Sequence, residues 1–568
     1  MKSLLIHSKN TSLLEFEEFQ KHNVDFKIPS DTDIDHYISN LIAEQIEPVN
    51  PSVIFIKYAL DNDYLAFLGL RLAHHIRLHH SRVNMSMIPI IFVGEETVSE
   101  LIRISDYSDI LATSGVYYVN EDLNKVKALL DRIAQDSLKG LKSRESYLKK
   151  VNIPAPLNYD SRHNFINELS LFLWSDYIGC EKLNSDIQDR VQHQLYFKYR
   201  IEKDKVDREQ SKIDDLPTFD THSKIMLVDD EAEKGWDDFY EHLFSGSKNV
   251  EFKAVHFDKN SSKDTIINDC LTQIEEYNPN VILLDLRLSE KDVFEIQPQN
   301  LTGYSVLKKI KEFNKGIQII VATASNKTSI FRELYNAGAD SYIIKNIEPK
   351  ISCSSLIESL RVAINESKIL KPTHTSLSFT IDSVKNNQLK KLNLGEDSNY
   401  FYNELKSELI SYLTLCQKLL ANQNNTDRFS ITLLQFHKCL EVIADYYIEE
   451  FYQKDTNSYH YEFYSGERVK YFDLNNPTNV KCHNWRQSGR MSVLNKFFNT
   501  YQYFTKRVKS SLFLELERLN NYRNDYSHPN LDHNFESLEL LYEEDFKSFR
   551  KTYIRLTTAF FEFLNAIR

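Results

Sequence analysis

The sequence predicts a multidomain chain: two α/β domains built on parallel sheets, followed by an all-α helical bundle. Three observations predict it. From Ser223 onward, short apolar runs alternate with amphipathic helical stretches. The N-terminus repeats that alternation. From Tyr400 the apolar residues recur instead every three or four positions, the helical period.

The size fits. A chain of 568 residues exceeds a single core, and three or four units are expected. A hydrophobic fraction of 42% and a charged fraction of 26% suit globular domains. The net charge of -12 excludes a chain coated with basic residues for bulk DNA binding, while a local basic patch stays possible. Six cysteines show no C-x-x-C pair, so neither a zinc site nor a disulfide framework is expected. No apolar run is long enough for a signal peptide or a membrane span, so a cytoplasmic protein without a membrane partner is expected.

The first domain is placed at residues 1–136. Its strands are KSLLIHS (2–8), SVIFIKYAL (52–60) and IPIIFVGEE (88–96). A polar, helical connector is expected over 137–222. It holds His163 in the run HNFIN, which resembles a histidine-kinase phosphorylation helix only faintly. A packed or solvated histidine is the better reading there.

The second α/β domain is placed at 223–368. Its strands are KIMLV (224–228), VILLDL (281–286), IQIIVAT (317–323) and SYIIK (341–345). In a parallel sheet the site lies beyond the carboxyl ends of the strands. Those ends carry Asp229 and Asp230, then Asp285, Thr323 and Lys345. Carboxylates gathered at one edge repel one another, and a hard divalent cation such as Mg²⁺ relieves the repulsion. A carboxylate beside Mg²⁺ and a lysine is placed to accept a phosphoryl group.

These residues resemble a two-component response-regulator receiver domain, a flavodoxin-like fold. The resemblance implies Asp285 as phospho-acceptor. It implies Mg²⁺ held by Asp229, Asp230 and Asp285 with the backbone carbonyl of Arg287. Thr323 and Lys345 would bind the phosphoryl oxygens, and Tyr342 would report the state. A cognate histidine kinase or other phosphodonor is the implied partner. Two departures stand out. Gly303 follows Asp285 by 18 residues, so the insert SEKDVFEIQPQN could cover or block the site. Asn346 follows Lys345 where the family has proline.

Laid over this domain, the first one keeps the apolar frame and loses the ligands. His7 and Ser8 replace the acidic pair, Lys57 the acceptor and Gly94 the threonine. Residues 1–136 thus resemble a degenerate receiver that cannot be phosphorylated, used for docking or dimerisation. Lys57 is either exposed or part of a permanent internal salt bridge.

A polar linker is expected at 369–399, and the helical domain at 400–568. Leu433, Phe436, Leu440, Ile443 and Tyr447 form one apolar stripe; Phe546, Phe549, Tyr553, Leu556, Phe560, Phe563 and Ile567 form another. A third runs Leu512, Leu516, Leu519, Arg523 and Tyr526, with arginine at an inward position. Pro529 disfavours helix at His528 and predicts that the helix ends or kinks there.

The motif Arg523, Asn524, His528 in a helical domain resembles the HEPN family, many of whose members are dimeric, metal-independent ribonucleases. The resemblance implies a catalytic set of Arg523, Asn524 and His528, RNA as substrate, a homodimer and no cofactor for this domain. His528 would move the proton of the attacking 2′-OH, and Arg523 would stabilise charge on phosphorus. From Lys481 to Ser510 seven Lys or Arg occur without Asp or Glu, interleaved with aromatics. That stretch is either an RNA-stacking face or a basic helix whose aromatics are core.

The sequence expectation is therefore a response-regulator-type protein whose Asp phosphorylation gates a ribonuclease, as in bacterial stress or phage defence. The alternative is a non-enzymatic regulator whose helical output domain binds protein or RNA.

Overall fold

The computed structural model describes residues 2–8, 11–29, 32–60, 67–80, 85–135, 138–154, 162–207, 212–323, 328–346, 348–391, 398–422, 427–455, 458–463, 468–470, 493–505, 510–527, 538, 541–542 and 545–568. The chain divides into two compact units: Met1–Leu216 with Lys345–Lys350, and Pro217–Ile344 with Ile351–Arg568.

In the first unit, β1 (Ser3–His7), β2 (Asn23–Asp25), β3 (Val53–Lys57), β4 (Ile90–Gly94) and β5 (Val116–Asn120) form a sheet of order β2-β1-β3-β4-β5. Every neighbouring pair is parallel. The helices are α1 (Glu17–Lys21), α2 (Ile34–Leu41), α3 (Leu68–Leu78), α4 (Val98–Ile104) and α5 (Leu123–Gln135). The central strands β1, β3 and β4 are buried on both faces, which is why they read as unbroken apolar runs. The short strands β2 and β5 lie at the edges; β2 has only three residues, and β5 is mostly half-buried. The connector supplies α6 (Arg144–Leu148), α7 (Arg162–Tyr177), α8 (Glu181–Val191) and α9 (Leu195–Asp207). His163 belongs to α7, and its side chain lies outside the described residues.

The second unit repeats the fold. Strands β6 (Ser223–Val228), β7 (Val250–Ala254), β8 (Val281–Leu284), β9 (Gln318–Thr323) and β10 (Ser341–Ile344) run β10-β9-β8-β6-β7, again all parallel. Helices α10 (Trp236–Phe244), α11 (Lys263–Tyr277), α12 (Thr302–Phe313) and α13 (Thr328–Ala337) join them. The edge strand β7, VEFKA, alternates polar and apolar residues and so carries no unbroken apolar run.

Helix α14 (Pro349–Lys385) corrects the expected linker. It runs unbroken for 37 residues through Pro372, so residues 369–385 are helix. Ile369, Leu370, Leu377, Ile381 and Val384 are buried in one core with the helices that follow. Their helical spacing was hidden among serines and threonines. Those helices are α15 (Ser398–Leu420), α16 (Arg428–Tyr447), α17 (Val493–Thr505), α18 (Ser510–Ser527) and α19 (Phe546–Ala566). The expected stripes hold: Leu433, Phe436, Leu440, Ile443 and Tyr447 are buried, as are Phe549, Tyr553, Leu556, Phe560, Phe563 and Ile567.

The domain is not purely helical. Strands β11 (Ile448–Asp455), β12 (Ser458–Phe463) and β13 (Arg468–Lys470) form an antiparallel sheet within the polar segment between α16 and α17. Among the described residues no helix is long and apolar enough to cross a membrane.

Candidate functional site

Asp229, Asp230, Asp285, Thr323 and Lys345 lie at or just beyond strand ends of the second sheet. Val228 pairs with Leu284 across β6 and β8, so Asp229 and Asp285 are the next residues of adjacent parallel strands. Thr323 closes β9 and pairs with Ile344, after which Lys345 follows directly. Asp229, Asp285, Thr323 and Lys345 are buried, and Asp230 is half-buried.

Backbone amides hold the carboxylates. The Arg287 N–H donates to Asp285 Oδ2 at 2.7 Å, and the Glu231 N–H donates to Asp229 Oδ1 at 2.8 Å. A cavity of about 200 Å³ opens beside the acidic pair, walled by Glu233, His256, Asp258 and Lys259. Hard carboxylate oxygens on neighbouring strands suit Mg²⁺, which keeps several waters and needs few protein ligands. Among the described residues no cluster of three or more His, Cys, Asp or Glu forms a ready metal site. Tyr342 is 43% exposed, its ring stacked on Phe331 at 3.9 Å between centroids and 14° between planes.

The insert after Asp285 is pinned at its base by the fully buried Asp292. Its carboxylate accepts from the backbone N–H groups of Leu288 (3.1 Å), Ser289 (3.2 Å) and Thr302 (3.2 Å), and pairs with Lys263 at 2.8 Å. The chain thus leaves at Leu288 and returns at Thr302. Gly303 then donates its N–H to Leu286 O at 3.0 Å. A Cβ on Gly303 would lie 2.2 Å from the Asp285 carbonyl oxygen, so only glycine lets α12 begin against this strand end. The extra length has been absorbed without moving that contact.

The first sheet has the same construction. Gly69 donates its N–H to Tyr58 O at 2.9 Å, and a Cβ there would lie 2.3 Å from the Lys57 carbonyl oxygen. Lys57 therefore occupies the position of Asp285 by backbone geometry as well as by sequence. Its ammonium is 2.8 Å from Glu121 Oε1, with about a fifth of each side chain exposed. Glu121 follows β5 directly and also accepts from Thr11 Oγ1 at 3.1 Å. The open question about Lys57 resolves to the internal salt bridge. Asp285 and Lys345 stand at the corresponding strand ends of the second sheet with the charges reversed.

In the helical domain Leu512, Leu516 and Leu519 of α18 are buried, and Arg523 is half-buried. Arg523 Nη1 donates to Asn524 Oδ1 at 3.1 Å; Asn524 is exposed. His528 and Pro529 lie outside the described residues. A further residue escaped the sequence reading. His437 on α16 is buried, with Nε2 3.2 Å from Asn520 Oδ1 and Nδ1 3.6 Å from Glu441 Oε1. Burial lowers its pKa, and the charge of Arg523 pushes it down further, against Asn520 and Glu441. The signal available was a histidine beside Phe436 on an inward stripe, four residues before a glutamate.

The aromatics of the basic stretch are mostly core. Phe497, Phe498 and Tyr501 are buried, so they cannot stack on bases. The core reading of those rings is the one that holds; Trp485 lies outside the described residues.

Helix α14 ties the second sheet to the helical domain. A Cβ on Gly316 would lie 2.3 Å from the Leu370 carbonyl carbon, so the loop before β9 touches the helix backbone. Asn314 Nδ2 donates to Thr375 Oγ1 at 2.9 Å, and Lys371 Nζ donates to the carbonyls of Asn278 (2.7 Å) and Pro279 (2.8 Å). On the other side Glu366 forms a buried ion pair with Arg428 and accepts from Tyr542 Oη at 2.7 Å.

Two doubly wound sheets with these strand ends define a pair of receiver-type domains. Residues 9–119 match the inactive receiver domain model, and residues 265–356 match the response regulator receiver domain model. Chemotaxis protein CheY of Halobacterium salinarum is 25% identical over 122 residues, 22% of this chain and 83% of that protein. Among solved structures, NtrX from Brucella abortus in complex with ADP is 14% identical, with a TM-score of 0.22, over 54% of this chain and 79% of that one. A probable two-component system response regulator/GGDEF domain protein is 12% identical, with a TM-score of 0.19, over 64% and 99%. The receiver domains support a signalling response regulator and imply a phosphodonor partner such as a kinase.

Proposed function

We propose that this chain is a phosphorylation-controlled regulator in which Asp285 accepts the phosphoryl group and the helical domain is the output. The observation that carries it is the placement of Asp229 and Asp285 at adjacent buried strand ends, within a domain whose last helix continues into the output core. Asp229, Asp230 and Asp285 with the Arg287 carbonyl would hold Mg²⁺, which would supply charge neutralisation during transfer. Thr323 and Lys345 bind the phosphoryl oxygens. Tyr342, now stacked outward on Phe331, changes position with phosphorylation and alters how two chains pair.

The output activity is metal-independent RNA cleavage by Arg523, Asn524 and His528, completed in a homodimer. The half-buried position of Arg523, whose charge acts on the buried His437, supports it. A second reading, a helical domain that only binds a partner, is favoured by the burial of Phe497, Phe498 and Tyr501. RNA incubated with wild type, Arg523→Ala and His528→Ala, with and without EDTA and a phosphodonor, separates the two. Cleavage that survives EDTA and vanishes in both variants supports the enzyme. Intact RNA in every phosphorylation state leaves the binding module.

A further inference from the structure

The first unit holds a cavity of about 450 Å³ that its receiver-type fold does not require. That volume lies in the range of small-molecule sites. One side is apolar, made by Leu78, Phe197 and Ile201; the other carries Lys198, Lys205, Ser39 and four histidines, with the carboxylates of Asp189 and Glu202.

Lys198 is the unusual member. Its ammonium donates to Ser39 Oγ at 3.0 Å and lies 3.5 Å from His75 Nδ1. Both are neutral acceptors, and together they leave one ammonium proton over. Among the described residues no carboxylate lies within ion-pair distance of it. Of the nearby carboxylates, Asp189 is an exposed lining residue, and Asp35 and Glu202 are otherwise engaged. Asp35 binds His75 Nε2 and Arg71 Nε, each at 2.8 Å, and the Leu195 N–H at 2.9 Å. Glu202 is held by Lys205 at 3.0 Å, Arg144 at 3.1 Å and His80 at 3.2 Å. Burial pulls the Lys198 pKa down to about 8 although Asp35 opposes it. The rings of His36 and His193 meet edge to face at 4.9 Å and add N–H donors to the same cavity.

An ammonium that lacks a carboxylate, on the wall of a half-apolar cavity, is stabilised by an incoming anion. We infer that this cavity binds a small organic oxyanion, its oxygens on Lys198 and the histidines and its apolar part against Leu78, Phe197 and Ile201. A phosphate and a carboxylate share this chemistry, and the test separates them.

The full-length chain is titrated calorimetrically with phenyl phosphate and, separately, with benzoate. The variants are Lys198→Met, which removes the charge at similar volume, and Gln192→Glu, which adds a carboxylate at an exposed lining position. Lys127→Met, exposed on α5, is the control. Circular dichroism checks folding; should Lys198→Met unfold, Gln192→Glu decides. Saturable binding of one probe that weakens about tenfold or more in both folded variants, and not in the control, supports the site and names the anion class. No saturable binding to wild type, or equal binding to all four proteins, overturns it.

Discussion

Lys57 and Glu121 form an ion pair at 2.8 Å across the strand ends where a receiver holds its acceptor and its lysine. The first domain has kept the two positions and exchanged their charges. A carboxylate that could be phosphorylated is absent from the acceptor position, and the pair is permanently made.

Because the pair is only about a fifth exposed, breaking it should cost about 1 kcal/mol. Lys57→Gln and Glu121→Gln should each lower stability by that amount, and the swapped double variant Lys57→Glu/Glu121→Lys should recover most of it. Urea denaturation measures this; a swap no better than the single variants would refute a pairwise interaction.

Labelling should be confined to the second sheet. With acetyl phosphate and Mg²⁺, wild type should become phosphorylated, Asp285→Ala should not, and Lys57→Asp should gain nothing in an Asp285→Ala background. Mass spectrometry of the intact chain checks it. Label persisting on Asp285→Ala would falsify the acceptor assignment.

Gly303→Val should destabilise the chain by roughly 2–3 kcal/mol, because its Cβ meets the Asp285 carbonyl. Lys308→Val, on the exposed face of the same helix, should cost about 0.5 kcal/mol. Comparable unfolding midpoints for the two would contradict the close approach.

The Glu366–Arg428 pair should behave as a buried bridge. Arg428→Met alone leaves a buried carboxylate and should cost about 3–5 kcal/mol; Glu366→Leu with Arg428→Met should cost much less. If Asp285 signals through α14, the double variant should also uncouple any output from phosphorylation while labelling continues. Output that still follows phosphorylation would exclude this bridge from the route.

Stability should fall with pH below about 6.5. Burial holds the His74 and His75 imidazoles down at about 4 and His374 at about 3. His74 is saturated in its neutral form: one ring nitrogen is 2.6 Å from Tyr147 Oη and the other 2.9 Å from Tyr107 O. Between about 4 and about 6.5 the unfolded chain binds the proton and the folded one does not, so stability is full above about 6.5 and is lost as pH falls through the folded values. Each fully buried ring contributes on the order of 3 kcal/mol. Melting temperatures from pH 7 to 4.5 should drop, and His74→Gln should flatten part of the slope. A slope unchanged by that variant would count against His74.

Asp229, Asp285, Thr323 and Lys345 could be placed at strand ends from the sequence because a parallel sheet makes each strand end an address. Four apolar runs fix four ends, and the residue after each run lands on one edge. The edge strand β7 stayed hidden because it alternates polar and apolar residues, and β2 because it is only three residues long. The 369–385 helix stayed hidden because its buried face carries the polar residues Thr373, His374, Thr380 and Ser383 among the apolar ones. Arg523 was legible as an arginine on the apolar stripe of α18, the helix that also carries Asn520, but His437 belongs to α16. Only packing α16 against α18 brings them together.

The sequence by itself determined two parallel sheets, their charged strand ends, and the loss of the acceptor from the first. Those follow from local periodicity and from which residue ends each run. Only the tertiary structure decided that Lys57 meets Glu121, that Gly303 returns to Asp285 despite the insert, that α14 crosses into the helical core, and that Lys198 lines a cavity with no carboxylate of the described residues within ion-pair distance. Each depends on contacts between residues far apart in the chain, which periodicity does not encode.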